Sequence, residues 1–476
     1  MNADSNTPSS QSSAGDSSLN ADQHPTNVRG MVFVLGCGTS WFLYLHRYTF
    51  ALIKPKLKDE WQLDNMELGL LDSAFAICYA LFQVPAGILV DATGAHLFLG
   101  GIIILWSIGL AMHACAPDLN SMRLARAVLG TGQAGAFAAV SRITRTWFPF
   151  TSRTFVQGFM GVFSGRTGAV CGFLLFATVL IGLLEIDWRT SVYILAAAGI
   201  VYGILFLALF RDSPKQHPWA NKAEADLIEG IQPNNNSKTS ATSDSGQTTQ
   251  KKQMSIREMF DRMDRRSIIN LLFLTLASSL STIADNIYSS WIPQFLKDVH
   301  DIKDFKTLGI YSMIPLLGGA SGGALAGYLN DRIIRKTGNR RWTRSLIGLT
   351  GKGTAGVLLA IALLTSYDNP YRFCVFLFFV KFFADMGLAS RWGTITDISG
   401  PATATVFALN NAMASLIGMI APPMYGWVSE HYDWYRVFII AACVYVACAL
   451  SWLLIDCTRP LFREDDEKTA TDSREN

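Results

Sequence analysis

The sequence is poor in charge. Asp, Glu, Lys and Arg make up 16% of the 476 residues, against about 25% in soluble proteins, whereas hydrophobic residues make up 50% and Phe alone fills 29 positions. Lys and Arg exceed Asp and Glu by only 40 to 37, an imbalance too small to indicate a nucleic-acid partner. This composition excludes an ordinary soluble multidomain enzyme and is typical of a membrane protein.

Motifs of metal and enzyme chemistry are also absent. The eight cysteines include no CxxC pair and no His spacing suited to zinc, and they read as small packing residues. No nucleophile, base and orienting group recur at a suitable spacing, and no phosphate-binding glycine loop is present. The sequence therefore predicts no metal site, no cofactor and no enzyme activity.

Long apolar runs dominate what is present. A helix that crosses the hydrocarbon core needs about 20 mostly apolar residues, and twelve such runs occur, six before and six after a long polar stretch. We therefore predict an all-α membrane protein with twelve transmembrane helices in two six-helix bundles. These spans 1 to 12 are expected at residues 30–53, 66–90, 95–116, 121–143, 154–180, 190–210, 268–294, 307–330, 345–366, 371–396, 402–428 and 434–456.

Polar segments divide the chain further. The first 28 residues hold seven serines and no Lys or Arg, so they predict a disordered tail and not a signal peptide. An Asn, Ser and Thr-rich run at 234–250 cannot bury enough apolar area to fold and indicates a flexible linker. The predicted parts are an N-terminal tail at 1–28, a first bundle at 29–210, a cytoplasmic linker at 211–267, a second bundle at 268–458 and a polar tail at 459–476.

The positive residues of the loops predict the orientation. With both termini inside the cell, the inner segments carry 24 Lys and Arg residues and the outer loops carry 9, and positive residues are retained on the cytoplasmic side. We therefore expect cytoplasmic termini. Short loops and the lack of a sorting signal favour a bacterial inner membrane, and we expect a monomer in the lipid bilayer.

One short motif occurs at equivalent places in both halves. Gly87 and Asp91 follow span 2, Gly327 and Asp331 follow span 8, and Arg332 comes directly after the second copy. Glycine there allows close helix approach, and the aspartate can meet the positive N-terminus of a neighbouring helix. Repeated in two six-helix halves, the motif resembles the loop motif of the major facilitator superfamily and predicts a gate on the cytoplasmic side.

Finer matches resemble one branch of that superfamily, the anion:cation symporters. Members of this branch carry sugar acids, hexuronates, sialic acid and related carboxylates, generally with protons. The resemblance therefore implies a small organic anion as substrate and a coupling cation, a proton before sodium. The matching residues are Ser73, Ala74, Phe75, Tyr79, Gln83, Pro85, Trp147, Phe148, Pro149, Arg153, Trp188, Arg189, Asp212, Ser213, Pro214, His217, Pro218, Glu224, Trp291, Ile292, Pro293, Trp392 and Asp397.

Two arginines lie at a shared depth. Arg47 is about six residues from the outer end of span 1 and Arg126 about five from that of span 4, which is roughly 9 and 8 Å below the surface. Each costs about 2.5 to 3.5 kcal/mol on insertion scales, so each needs a partner or a cavity. They are either structural pairs or a clamp for an anion. The resemblance implies the clamp, with Tyr44 and Tyr79 as hydrogen-bonding neighbours.

The coupling groups depart from the branch pattern. Its members have an Asp directly before the span 1 arginine and a Glu seven residues after the span 4 arginine, where this chain has His46 and Gln133. Gln133 cannot titrate and is expected to bind substrate, whereas histidine titrates near neutral pH. Further coupling candidates are Asp285 on span 7 and Asp385 on span 10.

The sequence leaves two possible roles open for each of two more interior cations, Lys381 and Arg166. Lys381 stands four residues before Asp385, so the two share a helix face and form either a structural ion pair or part of the coupling machinery. Arg166 lies near the midplane. It either extends the clamp towards a dianion or neutralises Asp285 or Asp385 across the halves.

The remaining candidates lie in the second half. The resemblance implies substrate contacts for Trp392 and for an asparagine of span 11, for which we prefer Asn411 to Asn410. Lys352 and Arg391 lie close to the inner membrane surface by the predicted boundaries and are expected to snorkel.

Three functions remain open at this point. The leading hypothesis is a secondary transporter that moves an organic anion by rocking its halves around a midplane site. A second is an organophosphate exchanger, which needs no titrating acid and suits Gln133. A third is a ligand sensor that keeps the fold without turnover.

Overall fold

A computed structural model describes residues 24–149, 152–229, 263–399 and 403–461. Eleven of its helices are long and apolar enough to cross a membrane, and a broken helix supplies span 4. The first half comprises Val28–Trp61, Asn65–Thr93, Ala95–Cys115, Leu119–Gln133 with Ala136–Trp147, a composite span 5, and Trp188–Leu209. The second half comprises Arg265–Ser290 with Ile292–His300, Phe305–Thr337, Arg340–Ser366, Pro370–Ser399, Thr403–Gly418 with Ala421–His431, and Trp434–Ser451. The predicted fold class is confirmed.

Glycines let span 4 pack directly on its neighbours. A Cβ added at Gly130 would come within 2.4 Å of the backbone oxygen of Phe75, and one added at Gly132 within 2.9 Å of the backbone of Trp106. The helix breaks between Gln133 and Ala136, which divides the span into pieces too short for a membrane crossing each. This close approach brings the polar residues of span 4 against span 2.

Span 5 contains two stretches of wider π-helical turns. They are Phe159–Phe163 and Leu174–Leu183, and they flank the α-helical segment Ser164–Phe173. Within that segment a Cβ added at Gly168 would lie 2.2 Å from the backbone oxygen of Trp41 on span 1. The α-helical segment therefore lies directly against span 1, and π-helical turns of this kind are frequent at functional sites.

The two ends of the bundle differ in how the halves meet. We call the end with the turns at 93–95 and 337–340 the terminal face, and the end with the turns at 61–65 and 431–434 the distal face. At the distal face a Cβ added at Gly426 would lie 2.1 Å from the backbone oxygen of Asn65, and Lys58 Nζ lies 3.1 Å from Glu430 Oε1. The halves are thus closed together distally.

The described part of the linker is attached to the first span. Its helix Lys222–Glu229 carries the fully buried Glu224, which accepts hydrogen bonds from the backbone N–H groups of Val28 at 3.3 Å and Arg29 at 2.9 Å. A carboxylate at a helix N-terminus compensates the partial positive charge there. The run at 234–250, predicted to be a flexible linker, lies outside the described residues.

Candidate functional site

Arg47 is surrounded by aromatic rings and keeps part of its guanidinium free. Its Nε donates a hydrogen bond of 2.9 Å to Gln133 Oε1. Its Cζ lies 4.6 Å from the ring centroid of Tyr79, 5.0 Å from that of Phe75 and 5.4 Å from that of Tyr44. Gln133 is fully buried and so fixes the orientation of the arginine. The buried Nη2 of Arg47 has no hydrogen-bond partner among the described residues.

Arg126 also lies beside Phe75, but its guanidinium already has a counter-ion. Its Cζ is 4.8 Å from the Phe75 centroid, and its Nη2 is 2.8 Å from Asp72 Oδ1. Both side chains of this pair are buried. The two arginines predicted to form one clamp are therefore near the same ring, yet Arg126 holds a protein carboxylate and Arg47 does not.

Lys54 connects this group to the second half. It is fully buried and forms an ion pair with Asp72. It also donates to the backbone oxygen of Ser290 at 3.1 Å and lies 3.9 Å from the ring of Trp291. Ser290 is the last residue of its helix, where the backbone carbonyls carry partial negative charge. We call Arg47, Lys54, Asp72 and Arg126 the N cluster, which has three cations and one carboxylate.

Four charged residues of the second half pair with one another. Lys381 Nζ lies 2.7 Å from Asp385 Oδ1 and 2.8 Å from Asp285 Oδ1, and Lys352 Nζ lies 3.3 Å from Asp285 Oδ2. Tyr445 donates a hydrogen bond of 2.7 Å to Asp285. We call Asp285, Lys352, Lys381 and Asp385 the C cluster. Its formal charges sum to zero.

Arg166 bridges the two halves. It belongs to span 5 of the first half, and its Nη2 lies 2.8 Å from Asp385 Oδ2 on span 10. The side chains are 17% and 3% exposed. Of the two alternatives left open by the sequence, this conformation contains the neutralising pair with Asp385.

The candidates of spans 10 and 11 lie towards the terminal face. Asn411 Nδ2 donates to Gln83 Oε1 at 3.2 Å across the halves, and the buried Nε2 of Gln83 has no partner among the described residues. Asn410 instead bonds to Ser278 within the second half. Trp392 packs edge-on against Phe407 with centroids 4.9 Å apart. Asn411 therefore contacts the first half and Asn410 does not, while substrate binding by Asn411 stays a prediction.

His46 lies inside the first half and has no contact with the guanidinium of Arg47 among the described interactions. It is fully buried, its Nε2 lies 3.1 Å from the backbone oxygen of Leu195, and a Cβ added at Gly199 would come within 2.3 Å of its ring. This is the environment of a packing residue. The structure thus gives no support to a coupling role for His46.

The environment of Lys352 differs from the one predicted for it. It is 3% exposed and paired with Asp285, so the expectation that it snorkels is wrong. The reason is that Asp285 of span 7 lies 3.3 Å from its ammonium group, a contact between spans that the sequence alone does not give. With Arg391 and Ser281, Lys352 lines a cavity of about 20 Å³, room for about one water molecule.

These interior charges belong to a chain that matches a known family over most of its length. The family model of the Major Facilitator Superfamily matches residues 36–367 and 353–475. The chain belongs to this superfamily. It is a multi-pass membrane transporter and not an enzyme.

Curated relatives within the superfamily are named for organic acids. The chain is 28% identical over 444 residues to a protein of Cupriavidus necator named "Probable sulfoacetate transporter SauU", covering 93% of this chain and 96% of the relative. It is 22% identical to the D-galactonate transporter of Escherichia coli O6:H1, covering 90% and 96%. It is 23% identical to the hexuronate transporter of Bacillus subtilis, covering 88% and 92%.

Solved structures agree on the superfamily fold. A bacterial homologue of the human lysosomal transporter Spinster, described as inward-facing and unoccupied, superposes with a TM-score of 0.70 at 17% identity, covering 90% of this chain and 98% of that one. The nucleoside transporter NupG superposes with a TM-score of 0.62 at 14% identity, covering 90% and 98%. At these identities the likeness is one of fold.

The superfamily loop motif lies at the terminal face. Arg142 Nη1 lies 3.8 Å from the half-exposed Asp91 carboxylate. Around Gly87 and Gly327, no described atom lies within 4 Å of an added Cβ. The close helix approach expected at these two glycines is therefore absent from this conformation, because the halves are closed at the distal face instead.

The second copy of the motif is described only in part. Arg332 Nη1 donates to the hydroxyl of Tyr328 at 2.8 Å, one helical turn away. The side chain of Asp331 lies outside the described residues.

Sequence reasoning missed three members of the site. Lys54 escaped notice because span 1 was expected to end at residue 53, whereas the helix continues through Pro55 to Trp61. Asp72 lies inside the predicted span 2, and a count of interior carboxylates as well as cations would have found it. Tyr445 carries no sequence signal, because its role depends on the distance to Asp285.

Proposed function

We propose that the protein is a secondary transporter that moves a small organic anion across a membrane by alternating access. The observation that carries this proposal is the N cluster, where three buried or half-buried cations face one carboxylate and Arg47 keeps a free donor. An uncompensated buried charge is costly, so this cluster is stabilised when an anion binds. The free edge of Arg47 offers the donors that such an anion requires.

The proposed substrates are sugar acids, hexuronates or short sulfonated carboxylates. Arginine binds carboxylates and similar oxyanions with two parallel hydrogen bonds, and the three relatives described above are named for sulfoacetate, galactonate and hexuronate. We assign the acid group to Arg47 and the rest of the substrate to polar neighbours. These neighbours are Tyr44, Tyr79, Arg126, Gln133, Trp392 and Asn411.

Coupling to a cation is proposed to use the C cluster. Gln133 cannot take up a proton and His46 is packed inside the first half. Of the remaining carboxylates, Asp72 is held by Lys54 and Arg126 within the N cluster, so we assign coupling to Asp285 and Asp385, which share Lys381. A proton on Asp285 would free Lys352, and a proton on Asp385 would free Arg166 while Lys381 stays with Asp285, so either protonation changes the pairing between spans. We therefore propose proton symport, with sodium as the alternative ion.

Orientation and the loop motif complete the proposal. With both termini in the cytoplasm of a bacterial cell, the terminal face opens inwards and the described conformation faces the cytoplasm. Asp91 and Asp331 would then stabilise the opposite, outward-open state, in which the terminal face is closed. We propose a monomer as the functional unit.

Uptake into proteoliposomes tests the proposal. Radiolabelled sulfoacetate, D-galactonate and D-glucuronate are offered with and without an inward proton gradient, and sugar phosphates are offered as competitors. Uptake of an organic acid that the gradient increases supports symport. Uptake restricted to phosphates on exchange would favour the organophosphate exchanger, and binding without any uptake would favour a sensor.

A further inference from the structure

With Arg166 included, the substrate site has more excess positive charge than one acid group can neutralise. The C cluster is neutral without Arg166, since its two lysines already match its two aspartates. The N cluster has an excess of two positive charges. With Arg166 included, three positive charges exceed the carboxylates of these groups.

One tyrosine ring connects Arg166 to Arg47. The Cζ of Arg47 lies 5.4 Å from the ring centroid of Tyr44. The same ring packs against Gly165, where an added Cβ would come within 2.7 Å of a ring carbon, and Gly165 directly precedes Arg166. The ring that Arg47 contacts therefore also packs against the helix turn that carries Arg166.

Asp385 pairs with Arg166 as the acid group of a bound substrate would. Its carboxylate lies 2.8 Å from Arg166 and 2.7 Å from Lys381, so it keeps a counter-ion when Arg166 leaves. Gly319 on span 8 allows this position, because an added Cβ there would come within 2.5 Å of Asp385 Oδ2. The carboxylate is thus held in place from its own half and offered to Arg166 of the other.

We infer that the transported anion carries two acid groups, the first bound by Arg47 and the second by Arg166, which exchanges Asp385 for the substrate. This inference rests on the proposed function and names the substrate class within it. Asp385 meets Arg166 through one oxygen only, whereas a second carboxylate or sulfonate of the substrate can bind the guanidinium with two parallel hydrogen bonds. A substrate with one acid group fills Arg47 and leaves the Arg166 bridge to Asp385 intact.

Matched pairs of acids test the inference on the purified transporter in lipid nanodiscs. D-Glucarate is compared with D-gluconate, and sulfoacetate with methanesulfonate, by isothermal titration calorimetry. We expect each diacid to bind at least about tenfold more tightly than its monoacid partner, because the monoacid lacks one charge-assisted contact. Equal affinities within both pairs would overturn the inference, and the uptake assay would still decide the proposed function separately.

Variants then locate the preference. In Arg166→Gln the diacid preference should fall to about unity while the monoacid affinity stays, and Arg166→Lys should keep a reduced preference because it keeps charge without the fork. Asp385→Asn should raise diacid affinity, because the internal competitor is weakened. Arg123→Gln removes an exposed cation at the end of span 4 and should leave the preference unchanged.

The same variants also define the results that would contradict the inference. An equal loss of monoacid and diacid binding in Arg166→Gln, with Arg166→Lys folded and fully selective, would assign Arg166 a structural role. Lower diacid affinity in Asp385→Asn would likewise contradict the replacement of Asp385 by the substrate at Arg166. Both results would leave Arg47 and the transport of an organic anion in place.

Discussion

The two halves of this transporter hold their interior charges in opposite ways. The N cluster has more cations than carboxylates and keeps an arginine donor free among aromatic rings. In the C cluster, two lysines pair with two aspartates, so its charges balance, and Arg166 of the first half adds a further contact to Asp385. The difference agrees with the proposed division of labour, in which the unbalanced cluster would bind an external anion and the balanced cluster would change its pairing when a proton arrives.

The largest effect is expected at the free arginine. Arg47→Lys keeps the charge but loses the planar fork and the hydrogen bond to Gln133. Loss of one charge-assisted hydrogen bond of about 1.5 to 3 kcal/mol lowers affinity about 10- to 100-fold. Isothermal titration calorimetry measures the substrate affinity, with Arg123→Lys at the exposed end of span 4 as the matched control. Near-normal affinity in Arg47→Lys would remove the N cluster from the binding site.

The next effect concerns the contact that joins the N cluster to the second half. Lys54→Met should weaken the distal closure, because it removes the ion pair with Asp72 and the bond to Ser290. Lys303→Met is the control, since its pair with Asp301 is exposed and lies within the second half, and such a pair is worth about 0 to 1 kcal/mol. Spin-label distances across the distal face measure the closed population. An unchanged distance distribution in Lys54→Met would contradict the prediction.

Single residues show where sequence reasoning reached its limit. The spans, the paired halves and the interior arginines could be predicted, because apolar length and rare charges are properties of the sequence itself. Which cation stays free could not, because it depends on whether Asp72 points to Arg47 or to Arg126. The burial of Lys352 could not be predicted for a related reason, since its contact with Asp285 joins two different spans.

A smaller effect is expected at His46, where the sequence favoured a coupling role. His46→Gln should lower stability by about 1 to 2 kcal/mol, because it disturbs a fully packed site and the contact with the backbone of Leu195. Proton-driven accumulation should persist. Thermal unfolding and uptake are measured on the same preparation. Lost accumulation at unchanged stability would return His46 to the coupling machinery.

The smallest effect lies outside both clusters and tests whether the changes above are specific. Glu224→Gln should cost about 0.5 to 1 kcal/mol of stability, because the N-terminus of span 1 loses its negative partner. Substrate affinity should stay unchanged. Asp226→Asn on the same linker helix is the control for a general loss of charge. A change in affinity for Glu224→Gln would show that the linker acts on the N cluster.

The division of labour is tested most directly by measuring exchange and accumulation in the same vesicles. Arg47→Lys should lose both substrate exchange and uphill accumulation under an imposed pH difference. Asp385→Asn should keep exchange and lose accumulation, because its pairing can no longer change with protonation. If Asp385→Asn still concentrates substrate against its gradient, or if it loses exchange together with accumulation, the assignment of coupling to the C cluster is contradicted.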